Sequence, residues 1–309
     1  MGLKPFRFGV VVWQRSTRDE WVELARKMEA WGYSTLLMPD HFSDQLAPAP
    51  ALLLAAEATS TLRVGSQVYD NDFRHPALLA KEAATLDRLT GGRFEFGIGA
   101  GWLKSEYDQV GISFDAPGTR VGRLEEAVQV IKRAWAEGPF DFSGQHYTIS
   151  GYDGLPKPLT QPGPPLFIGG AGRRLLTLAG READIVGITP RALREGGLDA
   201  RDVTEAGVEQ KIAWVREAAG ERMESIELTT LVYEISVTDD RAGRIEQLLD
   251  EWDLSREEIA TSPYMFIGSV DEIIEQLQAR RERLGISYIT LFEPNAERFA
   301  PVVAQLAGA

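Results

Sequence analysis

The chain has 309 residues, of which 44% are hydrophobic and 26% charged, the composition of an ordinary soluble globule able to bury a large core. Its formal net charge of -13 argues against nucleic acid as a partner, while leaving room for an anionic cofactor on a local basic patch. It contains no cysteine, which excludes disulfides, thiolate catalysis and cysteine-ligated zinc or clusters. The opening MGLKPFRFGVVVWQ lacks the long apolar stretch and small-residue cleavage site of a secretory leader. The longest clean apolar run, residues 51–56, is far too short to cross a bilayer, so a cytoplasmic enzyme without membrane association is expected.

Residues 6–13 read as a first strand, with Val10, Val11 and Val12 giving the unbroken apolar run of a strand buried on both faces. Thr17 and Glu20 form a capping box for a helix whose stripe is Trp21, Leu24, Ala25, Met28 and Trp31 and whose end is Gly32. A second strand, 35–38, runs at once into Pro39, Asp40, His41 and Phe42. An apolar helix over 51–59 leads to a third strand over 62–69. Arg74, His75 and Pro76 open the next helix, proline being tolerated in a first turn. That helix stops at Gly91 and Gly92, and Phe94, Phe96 and Ile98 form a fourth strand running into Gly99, Ala100 and Gly101.

Residues 103–118 are expected as a long loop, followed by a helix over 120–137 and an irregular excursion over 140–165 with a small hairpin. Strand five is 166–169, with a helix over 173–180, and strand six is 183–188. The polar stretch 190–225 holds one clear helix near 205–219. Strand seven is expected over 227–237, helices over 242–252 and 269–284, strand eight over 287–292 and a last helix over 296–307. Ser269 and Glu272 repeat the capping box. Eight strands alternating with helices imply parallel pairing through right-handed crossovers. The expected fold is therefore α/β, a TIM (β/α)8 barrel with insertions, as one domain over 1–309. A doubly wound open sheet would carry a glycine-rich phosphate loop after its first strand, and Trp13-Gln14-Arg15-Ser16 has no glycine.

Active sites of such barrels lie at the carboxyl ends of the strands. That rule singles out Trp13 and Gln14, Asp40 and His41, residues 67–72, 100–102 and 169–173, Thr189 and residues 293–295. Of the three histidines, His41 directly follows a strand, where it can exchange a proton with a bound ring or serve as a structural histidine bonded to a neighbouring loop. His75 at a helix start and His146 in the excursion read as structural. Gly97, Gly99 and Gly101 leave bare backbone at a strand end, against which a flat ligand can lie, though a tight strand-to-helix turn uses the same residues. They make no dinucleotide fingerprint, since Trp102 stands where its last glycine would be. Trp102, Ser105, Glu106 and Tyr107 follow and are placed to line that end. Gly169, Gly170, Ala171 and Gly172, between a strand and a helix, can offer backbone N–H groups to a phosphate, with Arg173 and Arg174 adding charge; a plain glycine turn is the alternative. Asp70, Asn71 and Asp72 have no further ligand at metal spacing, so they read as a polar loop and no metal is expected.

Three blocks together resemble the luciferase-like monooxygenase and F420-dependent oxidoreductase superfamily: MEAWGYSTLLMPDHF at 28–42, LRVGSQVYDNDFRHPALLAKEAATLDRLTGGRFEFGIGAGW at 62–102 and PPLFIGGAGRRLLTLAGREADIVG at 164–187. The resemblance implies a TIM barrel that binds FMN or the deazaflavin coenzyme F420 at its carboxyl end. By position, Asp40 and His41 would lie beside the isoalloxazine. Gln67 and Val68 would form a bulge with a non-prolyl cis peptide, Tyr69 and Asp70 would follow the ring edge, and Ala100, Gly101 and Trp102 would form the next wall. Gly169, Gly170, Ala171, Gly172 and Arg173 would hold the phosphate. The sugar-phosphate dehydrogenase branch has an acidic glutamate where Trp102 stands, which argues against that substrate and leaves His41 as the proton-handling residue. The form Pro-Asp-His-Phe resembles the deazaflavin branch more than the luciferases. The implied activity is hydride transfer between F420 and a small organic substrate, with an FMN-dependent monooxygenase as the alternative and a homodimer as the expected assembly.

Overall fold

Short apolar strands alternating with amphipathic helices favour pairing of each strand with its neighbours in the chain. The computed structural model, which describes residues 3–13, 17–193 and 197–309, carries that pairing around a full ring. The ring strands are β1 (Arg7–Val11), β2 (Thr35–Met38), β3 (Arg63–Ser66), β4 (Phe94–Gly99), β5 (Leu166–Gly170), β6 (Ile185–Ile188), β7 (Glu227–Val232) and β8 (Ile286–Phe292). They follow one another in chain order, β8 returns to β1, and β3 closes on β4 with Val64 opposite Phe94. This is the (β/α)8 barrel. A ninth strand of two residues, Tyr69–Asp70, continues past β3 along β4. No helix among the described residues is long and apolar enough to cross a membrane.

Contacts gather the chain into two units. In the unit made of residues 13–26 and 36–168, Trp21 is fully buried and its indole N–H donates to the Ala51 carbonyl at 2.7 Å. Trp135 likewise donates to Ala80 at 3.0 Å and stands edge-on to Phe96. The excursion contains the antiparallel hairpin Phe140–Ser143 and Thr148–Tyr152, whose turn is tied down by Glu126 accepting N–H bonds from Gln145, His146 and Tyr147. In the other unit, Phe8 packs on Phe299, and Arg7 pairs with Glu227 at 2.7 Å while covering the Tyr288 ring.

Both capping boxes form: Thr17 and Glu20 bond reciprocally, as do Ser269 and Glu272. Two stretches differ from the sequence-based expectation. Residues 103–118 are not one loop, because Lys104–Val110 is a helix closed by Gly111 at φ +75°. Its N-cap, Leu103, makes no side-chain capping bond, so the helix has no start signal; the burial of Tyr107 holds it instead. The expected strand 227–237 is two. Tyr233 and Glu234 give their N–H groups to the Tyr264 carbonyl, and Glu234–Val237 then pairs with Met265–Gly268 outside the ring.

Candidate active site

The site-bearing end of the first unit is built on a bulge. β3 ends at Ser66, the Gln67–Val68 peptide is cis, and the chain resumes pairing at Tyr69 opposite Ile98. Ser66 Oγ accepts from the Gly97 N–H at 3.0 Å and lies 2.8 Å from the Gly97 carbonyl. A Cβ on Gly97 would sit 1.9 Å from the Ser66 carbonyl oxygen, and one on Gly99 would sit 2.7 Å from Val68 Cγ2. The room that the glycine run opens beside β4 is thus taken by the bulge and its Val68 side chain, where the sequence suggested a flat ligand against bare backbone. At Gly101, φ is +72° and a Cβ would lie 1.9 Å from Tyr107 Oη. That glycine makes room for Tyr107.

Asp40 and His41, adjacent in sequence beyond β2, face different partners. The carboxylate of Asp40 accepts both terminal nitrogens of Arg74, one at 3.1 Å, together with the Asp70 N–H at 3.2 Å. Burial opposes the charge of Arg74, and the Asp40 carboxylate outweighs that and holds the guanidinium above its ordinary pKa. His41 turns to Glu106: Nδ1 lies 2.9 Å from Oε2, and the other oxygen accepts the Phe42 N–H at 3.2 Å. Glu106 is buried, and Trp102, exposed over 60% of its surface, stands edge-on to the imidazole with ring centroids 5.9 Å apart.

Behind them is a buried acidic network. Tyr107 Oη lies 2.7 Å from both oxygens of Asp70 and donates to that carboxylate, which also accepts the Asp72 N–H at 2.9 Å. Burial pushes the Asp70 carboxyl up to about 6, against the lowering effect of those bonds, and burial likewise raises the Tyr107 hydroxyl. Asp72 pairs with Arg123 at 2.7 Å, and Arg123 also reaches Asp115. Arg120, itself buried, binds the carbonyls of Ala100 at 3.0 Å and Gly101 at 3.3 Å and lies over the Phe114 ring. The oxygens of Asp70 and Asp72 are therefore engaged by a hydroxyl and a guanidinium. Among the described residues no group of three or more histidines and acids could hold a metal ion.

The glycine turn at 169–172 belongs to the other unit. The helix Arg173–Glu182 starts there with no side-chain cap, and a Cβ on Gly172 would meet nothing within 4 Å. Gly170 differs: its Cβ would come 2.4 Å from Leu175 Cδ2 and 2.8 Å from its Cγ, so a bulky residue there has to displace the Leu175 side chain. Arg173 is exposed and paired with Glu217 at 3.2 Å. The turn after β6 is pinned by buried Lys211, which donates to the Thr189 carbonyl at 2.7 Å and pairs with Asp202 at 2.9 Å. Residues Glu293–Asn295 make a single 3-10 turn after β8. Trp13 is exposed, and Gln14 lies outside the described residues.

A family model of the luciferase-like monooxygenases matches residues 5–256. The chain belongs to that family. Its relatives are cofactor-diverse. It is 32% identical over 190 residues to an FMNH(2)-dependent dimethylsulfone monooxygenase of Pseudomonas fluorescens, a match covering 57% of this chain and 50% of the relative. It is 32% identical over 208 residues to an F420-dependent glucose-6-phosphate dehydrogenase of Kineococcus radiotolerans, covering 62% and 61%. The chain thus spans half to three fifths of the length of these relatives. Among solved structures, the F420-dependent tetrahydromethanopterin reductase of Methanopyrus kandleri superposes with a TM-score of 0.77 at 19% identity, over 98% of both chains.

Within this family's frame, the residues that sequence reading overlooked are Arg74, Arg120 and Arg123, and the role of Glu106. In the sequence Arg74 reads only as part of a helix start, and Arg120 and Arg123 only as residues of the helix over 120–137. Nothing in their local spacing marks them as partners of Asp40, Ala100 or Asp72, which lie 20 to 51 positions away.

Proposed function

We propose that the chain is an F420-dependent oxidoreductase that transfers a hydride between the deazaflavin and a small organic substrate. The observation that carries this reading is His41, which stands just beyond β2 with Nδ1 engaged by Glu106 and Nε2 without a hydrogen-bond partner among the described residues. Hydride transfer to or from a carbon bearing a hydroxyl requires a proton to move as well, and an imidazole near neutrality serves in both directions. Tryptophan at position 102 and the absence of cysteine leave few other candidates for that role. When bound, the deazaflavin supplies or accepts the hydride. The ring would rest on the Gln67–Val68 bulge and near Asp40, Tyr69, Asp70, Ala100, Gly101 and Trp102. The uncapped helix start at Gly172, with open space before it, suits an anionic group such as a phosphate.

A second reading, an FMN-dependent monooxygenase, draws on the dimethylsulfone monooxygenase relative, named as FMNH(2)-dependent. Equilibrium titration with F420 and with FMN, each oxidised and reduced, separates the two. Binding of F420, together with a His41→Ala variant that loses about 10²–10⁴-fold in single-turnover rate while its cofactor affinity stays within a few-fold, supports the first reading. Binding of FMN alone with oxygen consumption selects the second, and binding of neither refutes both.

A further inference from the structure

We infer that Glu106 is the positioning residue that decides which ring nitrogen of His41 handles the proton, holding the imidazole with its hydrogen on Nδ1 so that Nε2 is the exchanging atom. The catalytic half of this inference rests on the proposed function; the tautomer half does not. An ionised carboxylate is acceptor-only, so across the 2.9 Å contact Nδ1 must be the donor. The other carboxylate oxygen accepts the N–H of Phe42, the residue after His41. The acceptor is therefore tied to the same segment that carries the ring, and ring and carboxylate stay in register. The carboxylate is also held from its own side. Tyr107, the next residue on the helix Lys104–Val110, is fully buried and bonded to Asp70.

Among the described residues Glu106 is the carboxylate bonded to the ring. Asp40, the sequence neighbour, spends its oxygens on Arg74 and the Asp70 N–H. Rotating the ring by half a turn would put a carbon where Nδ1 is and break the bond to Glu106. The proton balance follows. The neutral ring accepts a proton from the reacting group at the Nε2 lone pair, becomes an imidazolium with hydrogen on both nitrogens, and returns the proton from Nε2. The Nδ1 hydrogen stays on the contact to Glu106.

The test uses the full chain, without cofactor, labelled with ¹⁵N-histidine. His75 is a built-in opposite, since its Nδ1 accepts the Ala77 N–H at 3.2 Å and so its hydrogen is on Nε2. The spectrum of the neutral rings should show His41 with a protonated Nδ1 and His75 with a protonated Nε2, each assigned by its alanine variant. Glu106→Gln is the informative change: both oxygens now face N–H donors, and a glutamine has only one acceptor to offer. Its amide must turn a donor either toward Phe42 or toward His41, so the His41 tautomers should mix while His75 is unmoved. Single-turnover rate should fall at least about tenfold, with cofactor affinity within a few-fold. Glu106→Ala repeats the measurement if the glutamine variant fails to fold. A wild-type His41 protonated on Nε2, a tautomer unchanged in both variants, or mixed tautomers with an undiminished rate would each overturn the inference. Normal turnover of His41→Ala would instead overturn the proton-handling reading and leave the tautomer assignment standing.

Discussion

Replacing Gly101 with alanine tests the packing of the site directly. Two costs add. At φ +72° an L-residue sits in the left-handed region, a penalty of about 1–2 kcal/mol. The new Cβ would also lie 1.9 Å from Tyr107 Oη and 2.5 Å from Asp70 Oδ2, so the hydroxyl must leave a buried carboxylate. Breaking a hydrogen bond to a charged group costs about 1.5–3 kcal/mol. The expected loss is therefore about 2.5–5 kcal/mol. Gly111→Ala is the control, because Gly111 has φ +75° but nothing within 4 Å of its Cβ, and should lose only the backbone part, about 1–2 kcal/mol. Urea unfolding of both variants, followed by tryptophan fluorescence, gives the two differences under one set of conditions. Equal losses in the two variants would show that Tyr107 is free to move and that the network around Asp70 does not hold the strand end.

Burial raises the Asp70 carboxyl from 3.8 to about 6, so between those values the folded chain keeps a proton that the unfolded chain has released. This group's contribution to stability is complete below about 3.8 and is lost as pH rises through about 6, by about 3 kcal/mol. Asp70→Asn should flatten the fall in stability between pH 4 and pH 7 by about that amount, and a variant that follows the wild-type profile contradicts the assignment. At the other glycine turn, Gly170→Val meets Leu175 and should lower the melting temperature, an overpacking cost of about 1–3 kcal/mol, whereas Gly172→Val meets nothing and should lose only the helix N-cap preference, about 1 kcal/mol, but bind F420 more weakly. Unchanged affinity in Gly172→Val removes the phosphate role from this turn.

What the sequence determined by itself is whatever depends on neighbours a few residues apart. The period of the apolar residues marked all eight ring strands, and the reciprocal bonds of Thr17 with Glu20 and Ser269 with Glu272 span three residues, so both helix starts were legible. Strand ends in turn pointed to Asp40, His41 and residues 67–72 and 100–102, because a barrel gathers its chemistry at one rim; the bulge at Gln67 and Val68 came from the family resemblance alone. The partners of those residues were decided only in three dimensions. Asp40 and His41 are consecutive, yet one is held by Arg74, 34 positions away, and the other by Glu106, 65 positions away. Glu106 itself rides on a helix with no capping signature at its start, held in place by the burial of Tyr107. The three glycines around β4 were legible as small residues, but what fills the space above them is Val68 and Tyr107, brought there by a bulge and a helix from either side. Local periodicity reports which face a side chain takes; it carries no record of which distant group arrives at that face, and at this site the arriving groups set the charge, the tautomer and the room.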